Sequence, residues 1–154
     1  MLSTPEILDL AAQQTAVIRL TIKREECPQE MRPAITELMA ALAEQGITPV
    51  GPLFSHHLSM PSAIFDFEVG VPVNAVITAT GRVMPSQLPA SKVARTVYQG
   101  SYEGLGAAWG EFATWISVND NMPAPSLWEC YLAGPESGGD ATQWRTQLNR
   151  PLLA

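Results

Sequence analysis

The sequence predicts an α+β fold in which a strand–helix–strand–strand unit occurs twice, with the two antiparallel sheets joined side by side. Three observations predict it. Short runs alternate apolar and polar residues, the period of a strand, while two longer runs repeat apolar residues at three- and four-residue spacing, the period of a helix. The same order of elements appears over about residues 13–73 and 90–152, on either side of a turn-rich connector. Each half alone has one helix over a three-stranded sheet, too little to bury a secure core. The chain is therefore read as one domain in which helices cover one face and a cleft between the halves occupies the other, the kind of place where ligands bind.

The elements follow in order. AVIRLTIK (16–23) sets Ile18, Leu20 and Ile22 against Val17, Arg19 and Thr21, which is a strand. In CPQEMRPAITELMAALAEQG, Met31, Ile35, Leu38, Met39 and Leu42 recur at helical spacing, Pro33 is placed in the first turn, and Gly46 ends the helix. GPLFSHHLS (51–59) and AIFDFEVGVPV (63–73) are strands; in the second, Phe65, Phe67 and Val69 face one way and Asp66 and Glu68 the other, which is read as an exposed edge face in preference to one that adds negative potential to the cleft. The connector, with Gly81, Pro85 and Pro89, includes a short strand or an extended crossing. SKVARTVYQ (91–99) is the next strand. Gly100 then turns the chain, Ser101 is the expected N-cap, and Glu103 lies in the first turn, where the helix dipole favours an acid. Leu105, Ala108, Trp109, Phe112, Trp115 and Ile116 form one apolar helical stripe, which assigns both tryptophans to the core. SLWECYLAG (126–134) and TQWRTQLNRPL (142–152) complete the strands.

Composition narrows the function. The chain has 154 residues, 46 % apolar and 16 % charged, which suits a folded domain rather than a disordered one. A net charge of −6 repels phosphate backbones, so nucleic acid is not expected as a direct partner. There is no signal peptide and no membrane-length apolar run, so a cytoplasmic location is expected, with Cys27 and Cys130 as free thiols rather than a disulfide. Gly100, Gly104 and Gly106 miss the dinucleotide-binding spacing, and neither a P-loop nor a GxSxG motif is present. No cofactor is expected.

The segment LWECYL (127–132) carries the chemistry. It reads as a buried strand, yet holds a carboxylate, Glu129, at its centre. Alternation puts Leu127, Glu129 and Tyr131 on one face and Trp128, Cys130 and Leu132 on the other. If the latter three pack beneath the helix, Glu129 faces the cleft. A carboxylate there is costly to desolvate, and its pKa rises. Two remedies are open: a buried arginine, Arg95 or Arg145, or a bulky organic cation as ligand. In the first half, SHHLS takes the place of WECYL. Phe54, His56 and Leu58 share a strand face opposite His57, so His56 is a candidate to reach the cleft. Neighbouring histidines on a strand point apart, so no metal site is expected.

Over nearly its whole length, and most sharply from about Leu88 onward, the sequence resembles the GyrI-like small-molecule-binding family. The resemblance rests on the aromatic–Glu–x–aromatic strand, Trp128-Glu129-Cys130-Tyr131, and on the strand–GxYE–helix junction, Gly100-Ser101-Tyr102-Glu103, where Ser101 replaces a usual proline. That family comprises effector-binding domains of bacterial multidrug regulators and stand-alone proteins. The resemblance implies binding of bulky, often aromatic and cationic compounds, with Glu129 as the cation-binding residue. Tyr131, Trp128, Tyr102, Phe54, His56 and Trp144 are then the candidate walls. It also implies two alternatives: a hydrolase that opens cyclopropane rings in DNA-alkylating compounds, with Glu129 activating water and Tyr102 assisting, or a protein that modulates a partner such as a regulator or gyrase. Residues 1–15 are too few for the regulators' DNA-binding domain, so direct control of transcription is not expected.

Overall fold

The computed structural model describes residues 2–58, 63–134 and 140–153. In chain order its elements are β1 (Glu6–Leu10), β2 (Gln13–Lys23), α1 (Cys27–Glu44), β3 (Phe54–His57), β4 (Ile64–Pro72), β5 (Val83–Leu88), β6 (Ser91–Gln99), α2 (Leu105–Val118), β7 (Leu127–Ala133) and β8 (Arg145–Pro151). The fold is α+β and resolves into two compact units. One is Ala11–Ala90; the other joins Met1–Leu10 to Ser91–Ala154.

The N-terminal unit is a four-stranded antiparallel sheet in the order β3-β4-β2-β5, with α1 on one face. Ile18 and Leu20 of β2, Phe67 and Val69 of β4, and Leu38 and Leu42 of α1 meet in its core, each 5 % exposed or less. The helix is entered through a single 3-10 turn, Arg24–Glu26, where Glu26 Oε1 accepts from the Lys23 N–H at 2.8 Å. Because α1 then begins at Cys27, Pro33 falls inside the helix rather than in its first turn. It removes the N–H that would serve the Gln29 carbonyl, a local cost that packing of the helix face offsets. Gly46 ends the helix with φ 66°, the left-handed conformation that glycine adopts without a steric penalty.

The second unit is also four-stranded and antiparallel, in the order β1-β6-β8-β7, with α2 on one face. Ala108, Phe112 and Ile116 of α2 pack on Ala94 and Tyr98 of β6 and on Leu148 of β8. Each unit thus holds one strand more than the three expected per half. In the N-terminal unit the fourth is β5, the short strand of the connector. In the second it is β1, which pairs Glu6 with Arg95 through Leu10 with Ser91 and was not anticipated. EILDL has no clear strand period, and its pairing is set by a partner far along the chain. The last strand begins at Arg145, not at residue 142, since Ala141–Gln143 form a 3-10 turn.

Cys27 and Cys130 are not joined in a disulfide. Among the described residues no helix is long and apolar enough to cross a membrane.

Candidate functional site

The junction between β6 and α2 is built around one phenol. Tyr98, near the end of β6, is 8 % exposed and donates from Oη to the Ser101 carbonyl at 2.9 Å. That ring occupies the space beside Gly100 and Gly104. A Cβ at Gly100 would meet Tyr98 Oη at 2.6 Å, and one at Gly104 would overlap the same oxygen; Gly100 also has φ 148°. The two glycines let the chain fold over Tyr98 and enter α2 through the turn Tyr102–Gly104. Ser101 stands at the N-cap but makes no side-chain cap, contrary to expectation. Its carbonyl does the work instead, accepting from Tyr98 and from the Gly104 N–H at 3.1 Å.

This turn places Tyr102 outside the sheet, 37 % exposed. Its ring lies 4.9 Å from Trp144 and 6.0 Å from Tyr131, centroid to centroid. Trp144 is positioned by its own carbonyl, which accepts from the Gly100 N–H at 2.9 Å. Tyr131 in turn donates to Glu129 Oε2 at 3.1 Å, and Trp109 of α2 donates from its indole Nε1 to Glu129 Oε1 at 2.7 Å. The result is a partly buried carboxylate with one aromatic N–H and one phenol on its two oxygens, continuous with three aromatic rings. Burial pushes the Glu129 carboxyl above the ordinary glutamate range; the two hydrogen bonds act in the opposite direction but do not overcome it. Among the described residues no basic side chain forms an ion pair with Glu129.

Glu129 does not face away from the helix, as strand alternation with Trp128 beneath α2 had suggested. It is paired in register with Leu148, a residue of the α2 core, and bonds to α2 itself. The signal that misled is Trp128, which is 2 % exposed but lies on the opposite face of β7, in register with Asn149. Cys130 shares that face; Asn149 Nδ2 approaches its Sγ at 3.9 Å, and burial pushes its thiol up to about 11. Leu132 is exposed where the register of β7 shifts between Tyr131 and Ala133, rather than packed under the helix. Trp128 is thus separated by the sheet from Glu129, Tyr131, Tyr102 and Trp144, which the structure brings together. Trp109, assigned to the core from its helical stripe, packs on the core and also reaches the carboxylate. The arginine alternative fails for Arg95, whose Nε donates to Asn149 Oδ1 at 2.7 Å.

Phe54 and His56 belong to the N-terminal unit, 1 % and 6 % exposed. His57 takes the opposite face of β3, stacked on Phe67 at 5.0 Å and edge-on to Phe65 at 5.2 Å; burial pushes its pKa down to about 4. Glu68 departs from expectation. It is 8 % exposed rather than on an exposed face, because β4 is an inner strand. Asp66, on the same face, is held by Arg19 through two hydrogen bonds of 3.0 and 2.8 Å. Among the described residues no three His, Cys, Asp or Glu side chains gather as a metal site.

Comparison with known proteins agrees with this architecture. The family profile described as the GyrI-like small molecule binding domain matches residues 3–151. Among solved structures, the EcmrR C-terminal domain superimposes with a TM-score of 0.85 at 17 % identity, covering 97 % of this chain and 97 % of that one. The chain spans 57 % of the EcmrR chain solved in its complex with DNA. A hydrolase from Listeria innocua matches with a TM-score of 0.71 at 12 % identity, over 97 % of this chain and 91 % of that one. SAV2435, solved with tetraphenylphosphonium bound, matches with a TM-score of 0.66 at 12 % identity, over 99 % and 95 %. No curated protein matches the chain significantly. A fold shared along nearly its full length, and a family profile spanning residues 3–151, lead to one conclusion: this chain belongs to the GyrI-like small-molecule-binding family.

Proposed function

We propose that the chain binds bulky, amphipathic organic cations at Glu129. Tyr131, Tyr102 and Trp144 form the aromatic wall, and Trp109 holds the carboxylate in position. One observation carries this reading: a partly buried carboxylate that, among the described residues, is served by two neutral donors and by no cation. Ionising such a group costs several kcal/mol of desolvation. A large organic cation offsets that cost, because it carries charge yet is weakly hydrated itself. Each facing ring adds up to about 2 kcal/mol of cation–π attraction in a desolvated setting. Aromatic surface and one carboxylate make few demands on shape, which suits a binder of broad specificity. The likeness to a protein solved with tetraphenylphosphonium supports the same ligand class.

The test is titration with tetraphenylphosphonium, followed by quenching of Trp109 and Trp144. Saturable quenching is expected, with Glu129→Gln weakening the cation by about 2 kcal/mol or more while a neutral analogue of equal size is barely affected. Equal losses for the two ligands would reduce Glu129 to a structural role. A second reading has its own support: a carboxyl with a raised pKa that accepts from the Tyr131 phenol is suited to general acid–base work, and one structural neighbour is a hydrolase. Catalytic ring opening of a cyclopropane-bearing alkylator, lost in Glu129→Gln, would establish it; absence of turnover would remove it.

A further inference from the structure

The two halves of the chain correspond strand by strand. In the N-terminal unit Arg19 of β2 pairs with Glu68 of β4, and Thr21 with Asp66. In the second unit Arg95 of β6 pairs with Asn149 of β8, and Val97 with Gln147. Residues paired in register share a sheet face. Both sets lie on the face away from the helix, because Phe67 and Leu148, between these positions on β4 and β8, belong to the helix-covered cores. The arginine thus holds the same place in both halves, but its surroundings differ. Arg19 has a carboxylate: Asp66 accepts from its Nε at 3.0 Å and its Nη2 at 2.8 Å, and from the Thr21 hydroxyl at 3.3 Å. In the second half amides stand in place of both acids, Asn149 for Glu68 and Gln147 for Asp66, and Val97 stands in place of Thr21.

Arg95 is therefore held without being neutralised. Its Nε donates to Asn149 Oδ1 at 2.7 Å, and Asn149, fully buried, donates from Nδ2 to Gln147 Oε1 at 3.2 Å. That relay fixes the guanidinium and engages the oxygens of both amides. Among the described residues neither Nη of Arg95 makes a hydrogen bond, and no carboxylate forms an ion pair with it. Glu6, the acid opposite Arg95 on β1, is exposed and stays outside ion-pair distance. Cys130, on the same face, is a neutral thiol, since burial pushes it up to about 11. The half-buried Arg95 so presents a fixed two-pronged edge, Nη1 and Nη2, the geometry that matches a carboxylate. Val97, two residues along the same face, offers apolar contact where Thr21 offers a hydroxyl. We propose that Arg95 binds the carboxylate of a small organic acid with an apolar body, at the place where the first half supplies Asp66 from its own chain.

Benzoate and its neutral counterpart benzamide test this. In an NMR titration of the full chain, read at the arginine Nε and backbone amide signals, benzoate should shift Arg95 and Gln147 with a Kd of about 1 mM, the range that one half-buried bidentate pair allows, and benzamide should shift neither. Arg95→Lys, which keeps the charge but not the fork, should weaken benzoate about tenfold. Gln147→Asp places an acid where the first half has Asp66; it should pair with Arg95 and abolish benzoate binding while the fold is retained. Glu6→Gln removes the acid opposite Arg95 and should tighten benzoate. Glu129→Gln, on the other face of the sheet, should leave benzoate binding unchanged. Equal shifts with benzamide, no shift at Arg95, undiminished binding in Gln147→Asp, or loss of binding in Glu129→Gln would each overturn the proposal. So would a loss of stability in Glu6→Gln without tighter binding, the sign that Glu6 already neutralises Arg95.

Discussion

Glu129 sets two demands against each other. Desolvation raises its pKa, while Trp109 and Tyr131 favour the charged form. A carboxyl whose folded pKa stands above its unfolded value contributes most to stability below the unfolded value, and that contribution is lost as pH rises through the folded one. As pH rises above the unfolded value, the ligand-free protein therefore loses that contribution. Glu129→Gln should raise its melting temperature there, by about 2–4 °C for each kcal/mol recovered, and the gain should vanish in acid. Differential scanning calorimetry at two pH values reads this directly; an unchanged midpoint at neutral pH would mean that the hydrogen bonds offset the burial. Trp109→Phe removes one of the two donors, so it should raise the Glu129 pKa further and shift the pH dependence of cation binding upward, which a structural role alone would not do. Much of this was legible from LWECYL, because a glutamate inside an apolar strand demands an explanation. What the sequence concealed was which face Glu129 occupies. Both faces of β7 bear large side chains, and only the Leu148 pairing reveals that Glu129, not Trp128, lies under α2.

At the level of elements, the turn into α2 tests whether Tyr98 fixes the site. Three glycines lie close in sequence but in different surroundings. A Cβ on Gly104 overlaps Tyr98 Oη, whereas Gly106 and Gly110, within α2, have nothing within 4 Å of theirs. Gly104→Ala should therefore destabilise the fold by about 1–3 kcal/mol and displace Tyr102 from Tyr131 and Trp144. Gly106→Ala and Gly110→Ala should stabilise it by about 0.5–1 kcal/mol through helix propensity alone. Chemical denaturation of the three variants decides the matter: if all behave alike, the turn is not anchored by the phenol. Sequence reading found this junction through its GxYE pattern but assigned the anchoring to a Ser101 cap, since a side chain seven residues from Leu105 on the preceding strand leaves no local signal. The edge strand β1 was invisible for the same reason. Helices α1 and α2 were plain because their periodicity is local.

Across the whole molecule, two buried ionisable groups oppose each other in acid. His57, packed between Phe65 and Phe67, titrates near 4 instead of 6.5. A depressed folded pKa contributes stability above the unfolded value and loses it as pH falls, here from about 6.5 toward about 4. Glu129 runs the other way, gaining stability as it becomes protonated. On mild acidification the two groups therefore push the melting temperature of the ligand-free chain in opposite directions. The single variants separate them. His57→Phe should leave a protein that grows more stable from neutral pH toward about 5, and Glu129→Gln one that declines steadily over the same range. A saturating organic cation should impose a third pattern on the wild type: it pairs with the ionised carboxylate, so stabilisation by the ligand should grow with pH as Glu129 titrates and be absent in Glu129→Gln. If the wild-type midpoint instead falls steeply below pH 6.5 while Glu129→Gln follows it point for point, His57 alone governs the acid limb and Glu129 is not charged at neutral pH.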